Sequence, residues 1–189
     1  MGKIKELSRK ILFKGFAGIE QYVFELPENH QEVSRVVITR PEAAAILLIN
    51  KTAQKVVLIR QFRAPVYHNN GDGFVYEVAA GIIEKGENPI DSIIRETFEE
   101  TGYHIANPIL ISSFYPTVGL LNEIIHLYYA VVETSDKTGN GGGLENENEF
   151  LDVTEFSFDE VFSLLDKGEI IDAKTIIALL WLKNKVESL

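Results

Sequence analysis

Residues 81–103 read GIIEKGENPIDSIIRETFEETGY, and the charged residues of this stretch are the most informative part of the sequence. Glu99 and Glu100 follow Glu96 by three and four residues, so all three share one face if the segment is helical. Like charges at such spacings cost roughly 0.2–0.5 kcal/mol per pair in an isolated helix. A bound cation would remove this cost, and carboxylate oxygens suit a hard ion such as Mg²⁺. A solvated acidic helix face is the alternative interpretation.

The same stretch contains the signals of a helix that begins after Asn88 and ends before Gly102. Asn88 can cap the helix, Pro89 suits its first position, and Asp91 places negative charge in the first turn. Gly102 is a typical C-terminal stop. The apolar period predicts that the buried side contains Ile90, Ile93, Ile94, Thr97 and Phe98. The opposite side is expected to contain Ser92, Arg95, Glu96, Glu99 and Glu100.

The composition limits the classes of protein that this chain can represent. Its 189 residues match one ordinary domain, and its net charge of −10 argues against a nucleic-acid backbone as the main partner. The absence of cysteine excludes disulfides, thiolate zinc sites and cysteine nucleophiles. No apolar window approaches the ~20 residues of a membrane helix. The first residues, MGKIKELSRKILFKGF, lack the features of a signal peptide, so we expect a cytoplasmic protein without a membrane partner.

Short apolar runs predict a strand-rich chain that ends in two helices. Strands are expected at residues 22–25, 33–39, 43–49, 56–60, 74–79, 109–114, 124–132 and 150–156. Loops are expected at residues 68–73 and at the glycine-rich, acidic segment 136–148. Ser157 and Glu160 form a capping box for one helix, and Asp172 can cap the last one. This order of elements favours an α+β fold or an α/β sandwich.

The fixed positions of residues 81–103 resemble the Nudix box, G-x5-E-x7-R-E-U-x-E-E-x-G-U, in which U is a bulky apolar residue. Every glycine and charged position of the box is matched, and seven fixed positions within 23 residues make a specific signal. Thr97 and Tyr103 depart from the pattern at the two U positions. Because Thr97 still lies on the predicted core face, its departure concerns packing more than chemistry.

The resemblance implies an α/β fold, classed as α+β by some schemes, in the form of the Nudix α/β/α sandwich with a mixed sheet. We expect this Nudix hydrolase domain at residues 40–189. Residues 1–39 would form an N-terminal antiparallel strand meander, of the kind that relatives acting on ADP-ribose and nucleotide sugars commonly exchange between the subunits of a dimer. A homodimer is therefore expected.

Further segments are similar to one branch of the family, which cleaves ADP-ribose and nucleoside diphosphate sugars. These segments are RQFRAPVY at 60–67, YEVAAG at 76–81, FYPTVGLLNE at 114–123 and GGGLENENEF at 141–150. Pro116, thirteen residues after the box, is the kind of downstream proline that marks the branch.

The resemblance also assigns roles to individual residues of this sequence. The Mg²⁺ ligands would be the carboxylates of Glu96, Glu99 and Glu100 together with the main-chain carbonyl of Ala80, and Mn²⁺ is an expected substitute. Glu87 would pair with Arg95 and hold the loop to the helix. Glu147 matches the general base on a mobile loop, and Glu149 is the nearby alternative.

Contacts to the substrate follow from the same resemblance. Arg63 and Glu77 match positions that contact the nucleotide base, and Gly119 lies in the segment after the downstream proline. Arg40 would reach the site from a partner subunit. Each of the three charged residues could instead be an ordinary surface or sheet-edge charge.

The expected reaction is Mg²⁺-dependent hydrolysis of a diphosphate bridge, which yields a nucleoside monophosphate and a sugar phosphate. The alternatives are a Nudix enzyme for a nucleoside triphosphate or dinucleoside polyphosphate, and a non-catalytic module that senses ADP-ribose. A sensing module would be expected to lose a metal glutamate, whereas this sequence keeps all three. The sequence does not distinguish ADP-ribose from GDP-mannose as the substrate, although the triple glycine and Lys174-Thr175 slightly favour nucleotide sugars.

Overall fold

The computed structural model describes residues 2–144 and 150–186 and divides the chain into two compact units. The first unit comprises Met1–Glu42 and Tyr115–Ile124. The second unit comprises Ala43–Phe114 and Ile125–Leu189. No helix among the described residues is long and apolar enough to cross a membrane.

The first unit is built on a three-stranded antiparallel sheet. Its strands are β1 (Lys5–Phe13), β2 (Gly18–Glu25) and β3 (Glu32–Thr39), in the order β1-β2-β3. The N-terminal strand meander is therefore confirmed, although β1 was not predicted. All nine residues of β1 are exposed, so this strand lacks the one-sided apolar alternation by which a half-buried strand is recognised.

The second unit contains a seven-stranded mixed sheet. Its strands are β4 (Ala43–Asn50), β5 (Lys55–Phe62), β6 (Phe74–Glu77), β7 (Ala79–Ile82), β8 (Ile109–Phe114), β9 (Ile125–Val132) and β10 (Asp152–Ser157). The order is β10-β5-β4-β9-β8, with β6 paired to β5 and β7 paired to β4. Only the β4–β9 pair is parallel among the described strands.

Helices cover both faces of this sheet, which confirms the expected α/β/α sandwich. They are α1 (Ala64–Asn70), α2 (Pro89–Thr101), α3 (Phe158–Asp166) and α4 (Ala173–Lys183), with a 3-10 turn at Thr134–Asp136. Strand β4 is apolar on both sides: Leu47 belongs to the core cluster under α3 and α4, and Ile46 belongs to the cluster around Ile93 of α2. Such two-sided burial is typical of a central strand between helical layers.

Three sequence predictions need correction within the second unit. Helix α1 occupies part of the expected loop 68–73. The strand expected at 74–79 is two strands, because the N–H of Val78 leaves the ladder and donates to the Thr175 hydroxyl at 2.8 Å. Strand β10 begins at Asp152 rather than at residue 150.

The buried side of α2 also differs from the prediction. Ile90 is 45% exposed and Phe98 38% exposed, whereas Ser92, Glu100 and Thr101 are buried. Burial of these polar residues is possible because they have partners: Glu100 accepts the Ala80 N–H, and the Thr101 hydroxyl donates to a carbonyl of its own helix. Apolar periodicity cannot anticipate such partners.

Candidate active site

Helix α2 begins and ends where the sequence predicts. The Asn88 side chain accepts hydrogen bonds of 3.0 Å from the N–H groups of Ile90 and Asp91. At the other end, Gly102 adopts a left-handed conformation with φ of 76°. Glu96, Glu99 and Glu100 are thus held on one regular helix, which packs along strands β7 and β4.

Two glutamates of α2 meet the main chain of β7. A methyl group added to Gly81 would overlap the carboxyl group of Glu96, so the close approach between these two residues requires glycine. The buried carboxylate of Glu100 accepts the N–H of Ala80 at 2.8 Å. Gly81 and Glu96, which lie 15 residues apart in the sequence, are therefore in direct contact, and Glu100 meets the main chain at the neighbouring Ala80.

Arg95 is the cation at the centre of this group. Its guanidinium donates to both carboxylate oxygens of Glu87 at 3.2 Å, to Glu96 at 2.7 Å and to Glu99 at 3.0 Å. The hydrogen bonds from Arg95 lower the pKa of Glu87, and those bonds in turn raise the pKa of Arg95. One guanidinium faces three carboxylates, so the group retains an excess of negative charge.

The donor set fits a hard divalent cation. Among the described residues, no three acidic or histidine side chains are already arranged as a metal-binding group. Instead, Glu96 and Glu99 turn towards Arg95, and Glu100 turns towards the Ala80 N–H. The close packing at Gly81 nevertheless holds a carboxylate beside the main chain of Ala80, and the uncompensated negative charge favours a cation with oxygen ligands.

The two departures from the box are both fully buried and hydrogen-bonded. The Thr97 hydroxyl donates to the Ile93 carbonyl at 2.5 Å within α2. The Tyr103 hydroxyl donates to Glu155 of β10 at 2.7 Å. Both residues therefore fill core positions, and Tyr103 adds a polar connection to a distant strand.

A second charged network surrounds Glu77, which is only 2% exposed. Arg63 donates to both oxygens of this carboxylate, at 2.6 and 2.9 Å, and Lys174 of α4 also donates to it. Lys174 lies 3.1 Å from Asp172 as well. Burial opposes ionisation of Glu77, but the hydrogen bond from Arg63 and the charge of Lys174 outweigh it and lower the pKa.

Lys174 is the residue of this network that the sequence interpretation did not assign to the site. The sequence singled it out only as part of Lys174-Thr175, which favours a nucleotide-sugar substrate. The same turn is joined to the sheet through Thr175, whose hydroxyl donates to Asp172 at 2.6 Å and accepts the Val78 N–H. The network thus connects α4 to the chain just before Ala80.

The first unit contains the two remaining described positions, Arg40 and Gly119. The guanidinium of Arg40 lies 4.8 Å from the centre of the Phe16 ring, and its Nε is 3.5 Å from a carboxylate oxygen of Glu123. This Nε is buried and makes no hydrogen bond to any of the described residues. Arg40 also lines a cavity of about 320 Å³ in this unit. Gly119 occupies an exposed turn, where an added methyl group would meet open space.

Glu147 and Glu149, the predicted base and its alternative, lie outside the described residues. The described residues on either side are nevertheless informative. The N–H of Leu151 donates to the carbonyl of Gly142 at 3.2 Å, so the chain before the segment and the chain after it meet at Gly142.

Comparison with known proteins agrees with this fold. The model of the NUDIX domain family matches residues 39–179, so the chain belongs to this family. The chain is 35% identical over 179 residues to a GDP-mannose pyrophosphatase of Salmonella typhimurium, covering 93% of this chain and 92% of that protein. Proteins of the same name from Cronobacter sakazakii and Yersinia enterocolitica are each 34% identical, covering 93% and 94% of this chain and 93% of each relative.

A solved structure shares the fold. It is described as the crystal structure of an ADP compounds hydrolase and superposes with a TM-score of 0.76. The alignment covers 98% of this chain and 97% of that one, at 17% sequence identity. At that identity the likeness concerns the fold alone.

Proposed function

We propose that this protein is a Mg²⁺-dependent pyrophosphatase that hydrolyses the diphosphate bridge of a nucleoside diphosphate sugar, with GDP-mannose as the first candidate and ADP-ribose as the second. The observation that carries the proposal is the cluster of carboxylates at α2. In this cluster Glu96 packs against Gly81, and the Arg95 guanidinium faces the carboxylates of Glu87, Glu96 and Glu99. This excess of negative charge would repel a diphosphate unless bound cations neutralised it.

The proposed metal ligands are Glu96, Glu99, Glu100 and the main-chain carbonyl of Ala80. Bound Mg²⁺, or Mn²⁺ in its place, would neutralise the diphosphate and lower the pKa of an attacking water. Arg95, held by Glu87, would then keep the side chains of Glu96 and Glu99 close to the orientation that the ligands need.

The proposed reaction is direct attack by water. Its oxygen forms a bond to one phosphorus, the bond from that phosphorus to the bridging oxygen breaks, and the bridging oxygen leaves with the other phosphate. Glu147, or Glu149 as the alternative, accepts the proton of the water as general base. The products are a nucleoside monophosphate and a sugar phosphate, and no covalent intermediate is required.

Arg63 and Glu77 are the proposed contacts to the nucleotide. Both oxygens of Glu77 already accept hydrogen bonds from Arg63, so we propose that Glu77 orients the Arg63 guanidinium towards the nucleotide. Arg40 is proposed to contribute from a partner subunit, as the sequence resemblance implies. Gly119 is proposed to contact the substrate from its exposed turn.

The preference for GDP-mannose rests on the relatives, which bear the name GDP-mannose pyrophosphatase and align over nearly the whole chain. Lys174-Thr175 and the triple glycine at 141–143 also favour a nucleotide-sugar substrate. A homodimer is proposed because β1 is exposed along its whole length. A cytoplasmic location is proposed from the sequence alone.

The test is a substrate panel with purified protein: GDP-mannose, ADP-ribose, UDP-glucose and dATP, each with Mg²⁺ and with excess EDTA. We expect release of GMP and mannose 1-phosphate from GDP-mannose with Mg²⁺ only. Hydrolysis in EDTA would overturn the metal assignment. Turnover of dATP in preference to both diphosphate sugars would overturn the substrate class.

A further inference from the structure

The C-terminal end of α2 is covered by residues 138–143, which we name the glycine clamp. The N–H of Gly142 donates to the carbonyl of Glu100 at 2.9 Å, and the N–H of Gly143 donates to the carbonyl of Glu99 at 3.2 Å. Two further N–H groups of the clamp, at residues 138 and 139, donate to the carbonyl of Gly102 at 3.0 and 3.1 Å. The last carbonyls of a helix have no partner within the helix, and here the clamp supplies one.

The clamp depends on glycine at positions where its main chain lies directly on that of α2. Gly141, Gly142 and Gly143 have φ values of +65°, +102° and +78°, which side chains of L-amino acids rarely adopt. A methyl group on Gly141 would lie 2.6 Å from the carbonyl oxygen of Glu100. Contact with the helix therefore explains glycine at position 141, and positive φ values explain glycine at positions 142 and 143.

The clamp binds the main-chain carbonyls of Glu99 and Glu100, whose side chains contact Arg95 and β7 respectively. Glu100 is held from two sides, because its carboxylate accepts the Ala80 N–H at 2.8 Å while its carbonyl accepts the Gly142 N–H. Gly142 also accepts the N–H of Leu151, the residue before β10. The last turn of α2 is thus tied to both the clamp and the chain that enters the sheet edge.

We propose that the glycine clamp is a positioning element for the metal site: it fixes the last turn of α2, and with it the carboxylates of Glu99 and Glu100, relative to β7. This inference rests on the proposed function, since it concerns the same carboxylates. Groups that hold metal ligands in place typically change metal affinity by about 10- to 100-fold when they are altered. The clamp acts on the ligands through their main chain.

The test compares Gly141→Ala with the control Gly168→Ala in the full-length protein. Gly168 has a similar φ of +73°, but an added methyl group meets nothing within 4 Å there. Both variants carry the same kind of backbone strain, so both are expected to lower Tm. Calorimetric titration with Mn²⁺ alone, without substrate, should show affinity about 10- to 100-fold weaker in Gly141→Ala only. Equal Mn²⁺ affinity in the two variants would overturn the proposal.

A milder variant keeps the test decisive if Gly141→Ala does not fold. An alanine at Gly142 would lie 3.6 Å from the nearest atom, so Gly142→Ala strains the donor to Glu100 without overlap. It should also weaken Mn²⁺ binding relative to Gly168→Ala, and unchanged affinity there would count against the clamp. If the wild type binds Mn²⁺ but cleaves no member of the substrate panel, the proposed function fails while the comparison still decides the clamp. A wild type that binds no Mn²⁺ overturns both.

Discussion

The carboxyl group of Glu96 occupies the space that a side chain at Gly81 would need. The two residues are the first glycine and the first helical glutamate of the box, and their contact is made by the end of a flexible side chain against the main chain of a strand. Glycine is therefore required at this position of the box because it leaves room for the Glu96 side chain.

Gly81→Ala should consequently affect activity much more than stability. Gly81 lies in β7 without a positive φ, so alanine is compatible with its main chain, and the Glu96 side chain can move away at little cost. We expect Tm to change by only a few degrees and kcat to fall more than about tenfold, as for loss of a positioned metal ligand. Steady-state kinetics on GDP-mannose and a thermal melt measure both. The control is Gly71→Ala, which has φ of +90° and open space; equal activity in the two variants would contradict this account.

Glu100→Gln tests the metal ligands directly. Glutamine keeps the shape of the side chain and an oxygen that can accept the Ala80 N–H, but it removes one negative charge. We expect turnover to fall by orders of magnitude while the fold is retained, with Tm without Mg²⁺ unchanged or raised because a like-charge repulsion is removed. Circular dichroism, thermal melts and kinetics check this. Wild-type turnover in the variant would argue decisively against the metal site.

Glu147→Gln and Glu149→Gln separate the two candidates for the general base. Such a base typically supplies 10²–10⁴-fold, whereas metal and substrate binding survive its loss. Glu147→Gln should lower kcat by about that factor with KM and Mg²⁺ dependence little changed, and Glu149→Gln should do much less. The reverse result would assign the base to Glu149. If neither variant is impaired, Glu99 or Glu123 becomes the next candidate to test.

Tyr103→Phe tests the connection between α2 and β10. Removing the hydrogen bond to the ionised Glu155 should lower the free energy of unfolding at pH 7 by about 1–2 kcal/mol, as measured by urea denaturation. The hydrogen bond from Tyr103 also lowers the pKa of Glu155. A carboxylate with a lowered folded-state pKa stabilises the protein above its unfolded pKa, and this stabilisation is lost as the pH falls through the folded-state value.

The difference between wild type and Tyr103→Phe should therefore shrink as the pH falls below about 4.3, the ordinary pKa of glutamate. Tyr67→Phe is the control, because Tyr67 is exposed; it should change stability little at any pH. A Tyr103→Phe variant as stable as the wild type at pH 7 would show that the hydrogen bond does not contribute.

The proposed dimer is tested by sedimentation of the intact chain at micromolar concentration, where we expect the mass of two chains. Deletion of residues 1–38 should give a monomeric or poorly soluble protein with weaker substrate binding. Ile11→Glu is a milder change, since Ile11 is an exposed apolar residue of β1, and it should shift the equilibrium towards monomer. Lys10→Glu on the same strand is the charge control. A monomeric wild type would refute the dimer.

Local signals predicted α2 well because its determinants are close in sequence. The Asn88 cap, the Gly102 stop and the shared face of the acidic residues depend on neighbours within one or two turns. The buried side of α2 was predicted less well. Burial of the Glu100 carboxylate is possible because it accepts an N–H group from strand β7. Its partner lies 20 residues away, so the apolar period of the helix does not reveal it.

Residue types and spacings in the sequence by themselves determined the α2 boundaries and the shared helical face of Glu96, Glu99 and Glu100, because these follow from local helix geometry. The α/β/α sandwich was implied by the resemblance of the intact motif to the Nudix box. The tertiary structure alone decided that Gly81 makes room for the Glu96 carboxyl group and that Lys174 joins Arg63 at Glu77. It also decided that the N–H groups of Gly142 and Gly143 donate to carbonyls of α2. Each of these contacts joins residues from separate elements, and the main-chain atoms in several of them are the same in every residue type. Their partners are therefore set by how the strands and helices pack and cannot be read from the order of side chains.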